Sequence, residues 1–209
     1  MVKYNVLKLV MIMNSMNRMK NLISKSTSGI ISTQEVFEEN ITRNTLNKFI
    51  KNGELTRFGR GLYTINSAWE DDFFSLQKKY RKGIYSHDTA LYLLGYSDRT
   101  PSIYTMTFPK GYNSPSIKQE NIKVVRVIPD NYDLGIIEIQ SPSNNTIRIY
   151  NLERTLCDIL RGKGSDIQII NAAMKKYAIS KEKNINLLMQ YAEQLKVKDK
   201  ILRYMEVLL

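Results

Sequence analysis

The chain has 209 residues, 43% of them hydrophobic, which is enough for one large core or two small ones and excludes a disordered polymer. Lysine and arginine number 31 against 20 acids, a net charge of +11, so the expected partner is polyanionic, either nucleic acid or an acidic membrane surface. One cysteine, Cys157, excludes an internal disulfide framework and a cysteine-based zinc site, and one histidine, His87, removes most other metal-ligand sets. No metal or cofactor is expected, and a reducing cytoplasm is the natural setting.

The apolar run 9–13, preceded by Lys3 and Lys8, is too short for a membrane span or a secretory segment. Residues 4–13 read as the lead-in to a first helix, or as a short extra helix. Met16, Met19, Leu22 and Ile23 recur at helical spacing and predict a helix over 14–25, followed by a turn at 26–29. Ser32-Thr33-Gln34-Glu35 fits a capping box, with Ile31 and Val36 at the flanking apolar positions, so a short helix is expected over 33–39. Asn40-Ile41-Thr42 makes a tight turn, and Thr42 caps a second helix over 43–51. Leu46, Phe49 and Ile50 form the apolar stripe of that helix. Arg43, Asn44, Asn47, Lys48 and Lys51 fall within roughly 140° on its other side, at about 100° per residue. Asn52-Gly53 ends it through a left-handed cap. Residues 55–58 and 62–65 are strand-like, and Gly59-Arg60-Gly61 turns tightly between them, holding Arg60 at an exposed tip.

A helix over 68–79 leads into Lys78-Lys79-Tyr80-Arg81-Lys82-Gly83, where the domain boundary is placed. Residues 1–82 carry 14 basic and 7 acidic residues, and residues 83–209 carry 17 and 13, so the first part is the denser electrostatic footprint. In the second part Ser86 caps a helix through Leu94. Strand-like runs follow at 102–108, 122–128, 134–140 and 146–150, separated by turn residues. Asn151 caps a helix carrying Leu152, Leu156, Ile159 and Leu160, and Gly162-Lys163-Gly164 breaks it. Helices are then expected over 166–177, 183–195 and 198–208. The fold class is therefore α+β. A winged helix-turn-helix domain, 1–82, precedes a domain, 83–209, with a small mixed or antiparallel sheet and several helices.

Four stretches together carry a family resemblance: Arg57-Phe58-Gly59-Arg60-Gly61-Leu62-Tyr63, Tyr85-Ser86-His87-Asp88-Thr89-Ala90-Leu91, Thr107-Phe108-Pro109-Lys110-Gly111, and Asn151-Leu152-Glu153-Arg154-Thr155-Leu156-Cys157-Asp158. In this order and at this length the chain resembles the AbiE-type abortive-infection antitoxins, the repressor-antitoxin halves of bacterial phage-defence operons. The resemblance implies an autorepressor that binds promoter inverted repeats through its N-terminal domain. It also implies that the C-terminal domain neutralises a nucleotidyltransferase-like toxin without a stable complex, the type IV arrangement, and that the protein is not an enzyme. A monomer in solution that binds cooperatively on DNA is the expected state, with no membrane partner.

The residues suit duplex DNA. Arg43 can take guanine O6 and N7, and Asn44 or Asn47 adenine N6 and N7, while Lys48 and Lys51 suit phosphates. Arg57 and Arg60 suit a minor groove or a phosphate. The plain alternative is a solvated helix face and an incidentally charged hairpin. Lys110, Lys118, Lys123, Arg126, Arg148, Arg154, Arg161 and Lys163 offer a C-terminal basic face or a scattered charged surface. His87 beside Asp88 and Ser86 is read as a capping or packing residue, because adjacent residues on one turn rarely form a triad. Cys157 is read as structural. Two alternatives stay open: an antitoxin that binds its toxin directly, and a metal-dependent nuclease built on Pro129-Asp130 with Glu138-Ile139-Gln140, where Gln140 stands in place of the usual lysine.

Overall fold

The computed structural model describes residues 2–66 and 71–208, with side chains from residue 12 onward. It divides into two compact units, Met1–Lys79 and Tyr80–Leu209. The division falls slightly before the boundary placed from sequence, for a local reason. Tyr80 is buried and its hydroxyl donates to Ser116 and Glu120, while the carbonyls of Arg81 and Lys82 accept from Arg148 and from the Tyr132 hydroxyl. Residues 80–82 thus belong with the C-terminal unit.

The first unit runs α1 (Val2–Lys25), β1 (Ile30–Ser32), α2 (Thr33–Glu38), α3 (Arg43–Lys51), β2 (Leu55–Gly59), β3 (Leu62–Ile65) and α4 (Asp72–Lys79). Residues 4–13 are the first turns of one long helix rather than a separate element. Residues 68–70 of the helix expected before the boundary lie outside the described residues. The three strands form an antiparallel sheet in the order β1-β3-β2. Met19, Ile31, Val36, Leu46, Phe49 and Leu55 make the core, so one face each of α1, α2 and α3 closes on the sheet. Strand β1 was not expected from sequence: its three residues are too few to show a period of two.

The second unit runs β4 (Ile84–Tyr85), α5 (His87–Leu93), β5 (Tyr104–Pro109), β6 (Ile122–Val127), α6 (Pro129–Tyr132), β7 (Ile136–Gln140), β8 (Thr146–Tyr150), α7 (Leu152–Ile159), α8 (Ile167–Ile179), α9 (Ile185–Gln194) and α10 (Lys198–Leu208). A 3-10 turn, Pro115–Gln119, precedes β6. The sheet order is β6-β5-β4-β8-β7, with β5/β6 and β4/β8 parallel and β4/β5 and β7/β8 antiparallel. Both units are thus α+β, and the second sheet is mixed. Its centre is the two-residue β4, which the sequence reading also passed over. Pro129-Asp130-Asn131 forms a single helical turn rather than an open turn. A second core, built on Leu156, Ile159, Met174, Leu188 and Ile201, joins α7 through α10.

Every residue of α7 after Leu152 is buried, including three charged ones. Arg154 has no exposed surface. Its Nε meets Asp158 Oδ2 at 3.0 Å, its Nη1 donates to the carbonyls of Asn131 and Leu134, and its guanidinium lies 4.1 Å over the Tyr150 ring. Glu153 accepts from the Tyr177 hydroxyl at 3.2 Å and from the Asn184 amide at 3.3 Å. The charges on this helix are internal ties. Arg154 therefore leaves the basic surface that the sequence offered, because its neighbours in the fold enclose it.

Candidate nucleic-acid interface

The local rules that build α2 and α3 act as expected. Ser32 Oγ accepts from the Glu35 amide at 3.2 Å, and the Glu35 carboxylate accepts from the Ser32 amide at 2.7 Å, which closes the capping box. Asn40 takes a left-handed φ of 53° in the turn, a conformation asparagine tolerates. Thr42 Oγ1 then accepts from the Thr45 amide at 3.2 Å to start α3. A buried hydroxyl pair, Ser15 Oγ and Thr45 Oγ1 at 2.8 Å, ties α1 to α3, and Ser15 also accepts from the Thr42 amide. At the far end the amides of Gly53 and Glu54 donate back to the carbonyls of Ile50 and Phe49, and Gly53 has a φ of 73°. This is the Schellman termination, and it turns the chain out of α3 into β2.

Helix α3 is split cleanly by these anchors. Thr45, Leu46 and Phe49 are buried, while Arg43, Asn44, Asn47, Lys48 and Lys51 are all exposed on one side. None of those five side chains forms an ion pair or hydrogen bond among the described residues. The hairpin that follows pairs Arg57 with Tyr63 and Gly59 with Leu62, so Phe58 is the extra residue of a bulge and Arg60-Gly61 is the loop. Arg60 is exposed there. Arg57 is exposed too, but its Nε folds back onto the Gly59 carbonyl at 3.1 Å, which braces the loop.

One tie escaped the sequence reading. The Thr33 amide donates to the Gly61 carbonyl at 2.8 Å, and a Cβ on Gly61, whose φ is 69°, would stand 2.8 Å from Thr33 Oγ1. The hairpin loop is thereby fastened to the start of α2. The sequence signal was the glycine itself, since nothing local names its distant partner.

The C-terminal cations do not form the single face that their number suggested. Lys110, Lys123 and Arg126 are exposed, Arg148 and Arg161 are half-buried, and Arg154 is enclosed. Lys123 and Arg126 lie three apart on β6, so their side chains leave opposite faces of the sheet. His87 starts α5 with a left-handed φ of 52°. Its Nδ1 is 3.0 Å from Ser86 Oγ, which accepts from Thr107 Oγ1 at 2.9 Å. Burial holds the His87 pKa below its usual value, against the pull of Asp158 and Asp88. Burial likewise pushes the Cys157 thiol up to about 12, so it is an inert packing group.

Asp130 lies exposed in α6 and Glu138 exposed on β7, and no cluster of three or more metal-ligating side chains occurs among the described residues. No helix among them is long and apolar enough to cross a membrane.

No curated protein sequence matches the chain. Among solved structures, the crystal structure of the RV2827C protein from Mycobacterium tuberculosis is similar, with a TM-score of 0.59 at 12% identity over 93% of this chain and 80% of that one, a likeness of fold. Residues 17–66, from the middle of α1 to the end of the hairpin, match the family described as "Transcriptional regulator, AbiEi antitoxin". Over that segment, about a quarter of the chain, the protein is similar to transcriptional regulators of the AbiEi antitoxin family.

Proposed function

We propose that the N-terminal unit is a winged helix-turn-helix in which α3 enters the major groove and the β2–β3 hairpin is the wing. The observation that carries this reading is the α3 surface. Five adjacent polar or cationic side chains are held out by a capped, buried opposite face, and no acid among the described residues neutralises them. In this reading Arg43, Asn44 and Asn47 meet base edges, and Lys48 and Lys51 meet phosphates. Arg60 at the loop tip and the braced Arg57 reach the flanking backbone or minor groove.

The protein then acts as an autorepressor on inverted repeats in its own promoter, one copy per half-site, and opposes a nucleotidyltransferase-like toxin without a lasting complex. In this reading the DNA-reading domain is the unit ending at Lys79, and antitoxicity resides in the unit that begins at Tyr80. A mobility-shift assay of the full chain on its own promoter tests the reading. Binding to a fragment with intact inverted repeats, lost when one repeat is scrambled and weakened by Arg60→Ala, is the expected result. Equal affinity for scrambled and intact fragments refutes it. A stable complex on co-purification with the neighbouring gene product would replace the indirect mode of toxin neutralisation with direct binding.

A further inference from the structure

Helices α8 and α10 pack together in the C-terminal unit, burying Ile170, Ala173 and Met174 of one and Ile201 and Met205 of the other. Beside that seam lies a groove of about 290 Å³, lined by Asn171, Lys175, Arg203, Tyr204, Val207 and Leu208. Its wall is mostly apolar, and Val207 is 84% exposed. No acid lines it. Lys175 and Arg203 stand exposed at it, and neither has an ion pair or a side-chain hydrogen bond among the described residues.

An apolar side chain flanked by carboxylates is the complement of such a groove. The chain itself carries that combination at the end of α2, in Phe37-Glu38-Glu39. Phe37 is 48% exposed and lies outside the core that takes its neighbour Val36. Glu38 accepts from the uncharged Gln34 amide at 2.9 Å, and neither Glu38 nor Glu39 has a cation partner among the described residues. Two uncompensated carboxylates are repelled by phosphate, so this end of α2 suits a cationic protein surface rather than DNA.

We propose that the α8–α10 groove receives Phe37 of a second copy of the chain, with Glu38 and Glu39 facing Lys175 and Arg203. The proposal rests on the promoter reading for one thing only, the placing of two copies on neighbouring half-sites. A two-fold pair makes the contact twice, each copy giving one Phe37 and receiving the other. An aromatic side chain buries about 150–250 Å². Two such contacts, with the groove surface they cover, stay below the roughly 1,200 Å² of a stable interface. Free chains therefore meet this way only transiently. Two copies on one promoter face each other at an effective concentration on the order of millimolar, where a weak contact becomes cooperative binding.

Cross-linking two singly substituted full-length chains, Phe37→Cys and Val207→Cys, under mild oxidation tests it, since the native Cys157 is buried. A disulfide between the two chains is expected to form at least about tenfold faster than between Phe37→Cys and a control chain, Ser143→Cys, whose residue is exposed on the β7–β8 turn, and faster still on promoter DNA. Lys175→Glu with Arg203→Glu in the Val207→Cys chain should slow the reaction. Adding Glu38→Lys with Glu39→Lys to the Phe37→Cys chain should restore it, which a general change in thiol reactivity would not do. On a fragment with both repeats, Phe37→Ala should cut the affinity gained by the second copy at least about tenfold while leaving single half-site affinity and Tm unchanged. A cross-link without promoter binding supports the contact and refutes the promoter reading. Cooperative promoter binding with cross-linking at the control rate overturns the contact and leaves that reading intact. A disulfide that forms only within a doubly substituted chain assigns the groove to its own copy and overturns the proposal.

Discussion

Replacing Lys48 and Lys51 by alanine is the sharpest test of how α3 is used. Both side chains are exposed on one side of the helix and neither has an acid partner among the described residues. The change therefore removes charge without disturbing the core, and stability should move by no more than about 0.5 kcal/mol. Four cations, Lys48, Lys51, Arg57 and Arg60, are assigned to backbone contacts. Each phosphate neutralised contributes about −0.9 to the slope of log affinity against log salt, so the wild-type slope is about −3.6 per bound copy. Raising salt from about 50 to about 200 mM then weakens binding about 150-fold. With two cations gone the slope falls to about −1.8, and the same salt step costs only about 12-fold. Mobility shifts on a single half-site over four salt concentrations read both slopes. The loss in affinity should be the same on operator and non-operator DNA, since phosphate contacts carry no sequence. A slope that stays near −3.6 in the double variant, with stability unchanged, refutes the placement of α3 against the duplex.

Arg154→Met should destabilise the C-terminal unit by about 3–5 kcal/mol in a denaturant titration, because it leaves Asp158 buried and uncompensated. Adding Asp158→Leu should recover much of that loss, and a single-variant cost below about 1 kcal/mol would contradict the enclosed pair. Gly61→Ala should weaken DNA binding by freeing the hairpin loop from Thr33, since its Cβ would fall 2.8 Å from Thr33 Oγ1; an affinity equal to wild type would show that the loop position is immaterial. His87 has its folded pKa lowered by burial, so the folded state prefers the neutral ring. Its contribution to stability is complete above the unfolded pKa of about 6.5 and is lost as pH falls through the folded value. His87→Asn, which accepts the left-handed backbone, should flatten that acid-side loss in melts between pH 7 and 5, and an unaltered profile would remove His87 as its source. Cys157, with its thiol pushed up to about 12, should resist alkylation at pH 8 in the folded protein and react on unfolding.

The elements that obey short-range rules were determined by the sequence itself. The capping box at Ser32, the cap at Thr42, the apolar stripe Leu46–Phe49 and the Gly53 termination each need only residues within one or two turns, and each forms as its residue types dictate. Strand β8 and helix α10 likewise occupy the residues that their patterns marked. The polar surface of α3 was visible for the same reason: a helical period fixes which side chains share a side.

Contacts between segments distant in sequence were decided only by the tertiary structure. Strand β4 has two residues and no pattern, yet it sits at the centre of the second sheet because Ile84 and Tyr85 pair with Thr107 and Met106 on one side and Tyr85 with Ile149 on the other. Arg154 looked like a surface cation until the carbonyls of Asn131 and Leu134, the Tyr150 ring and Asp158 enclosed it. The fastening of Gly61 to Thr33 and the burial of Asp88 Oδ1 without a hydrogen-bond donor are of the same kind. Periodicity and capping are properties of neighbours in the chain. Burial, strand order and the absence of a hydrogen-bond partner are properties of neighbours in space, and no local pattern records which distant residues those will be.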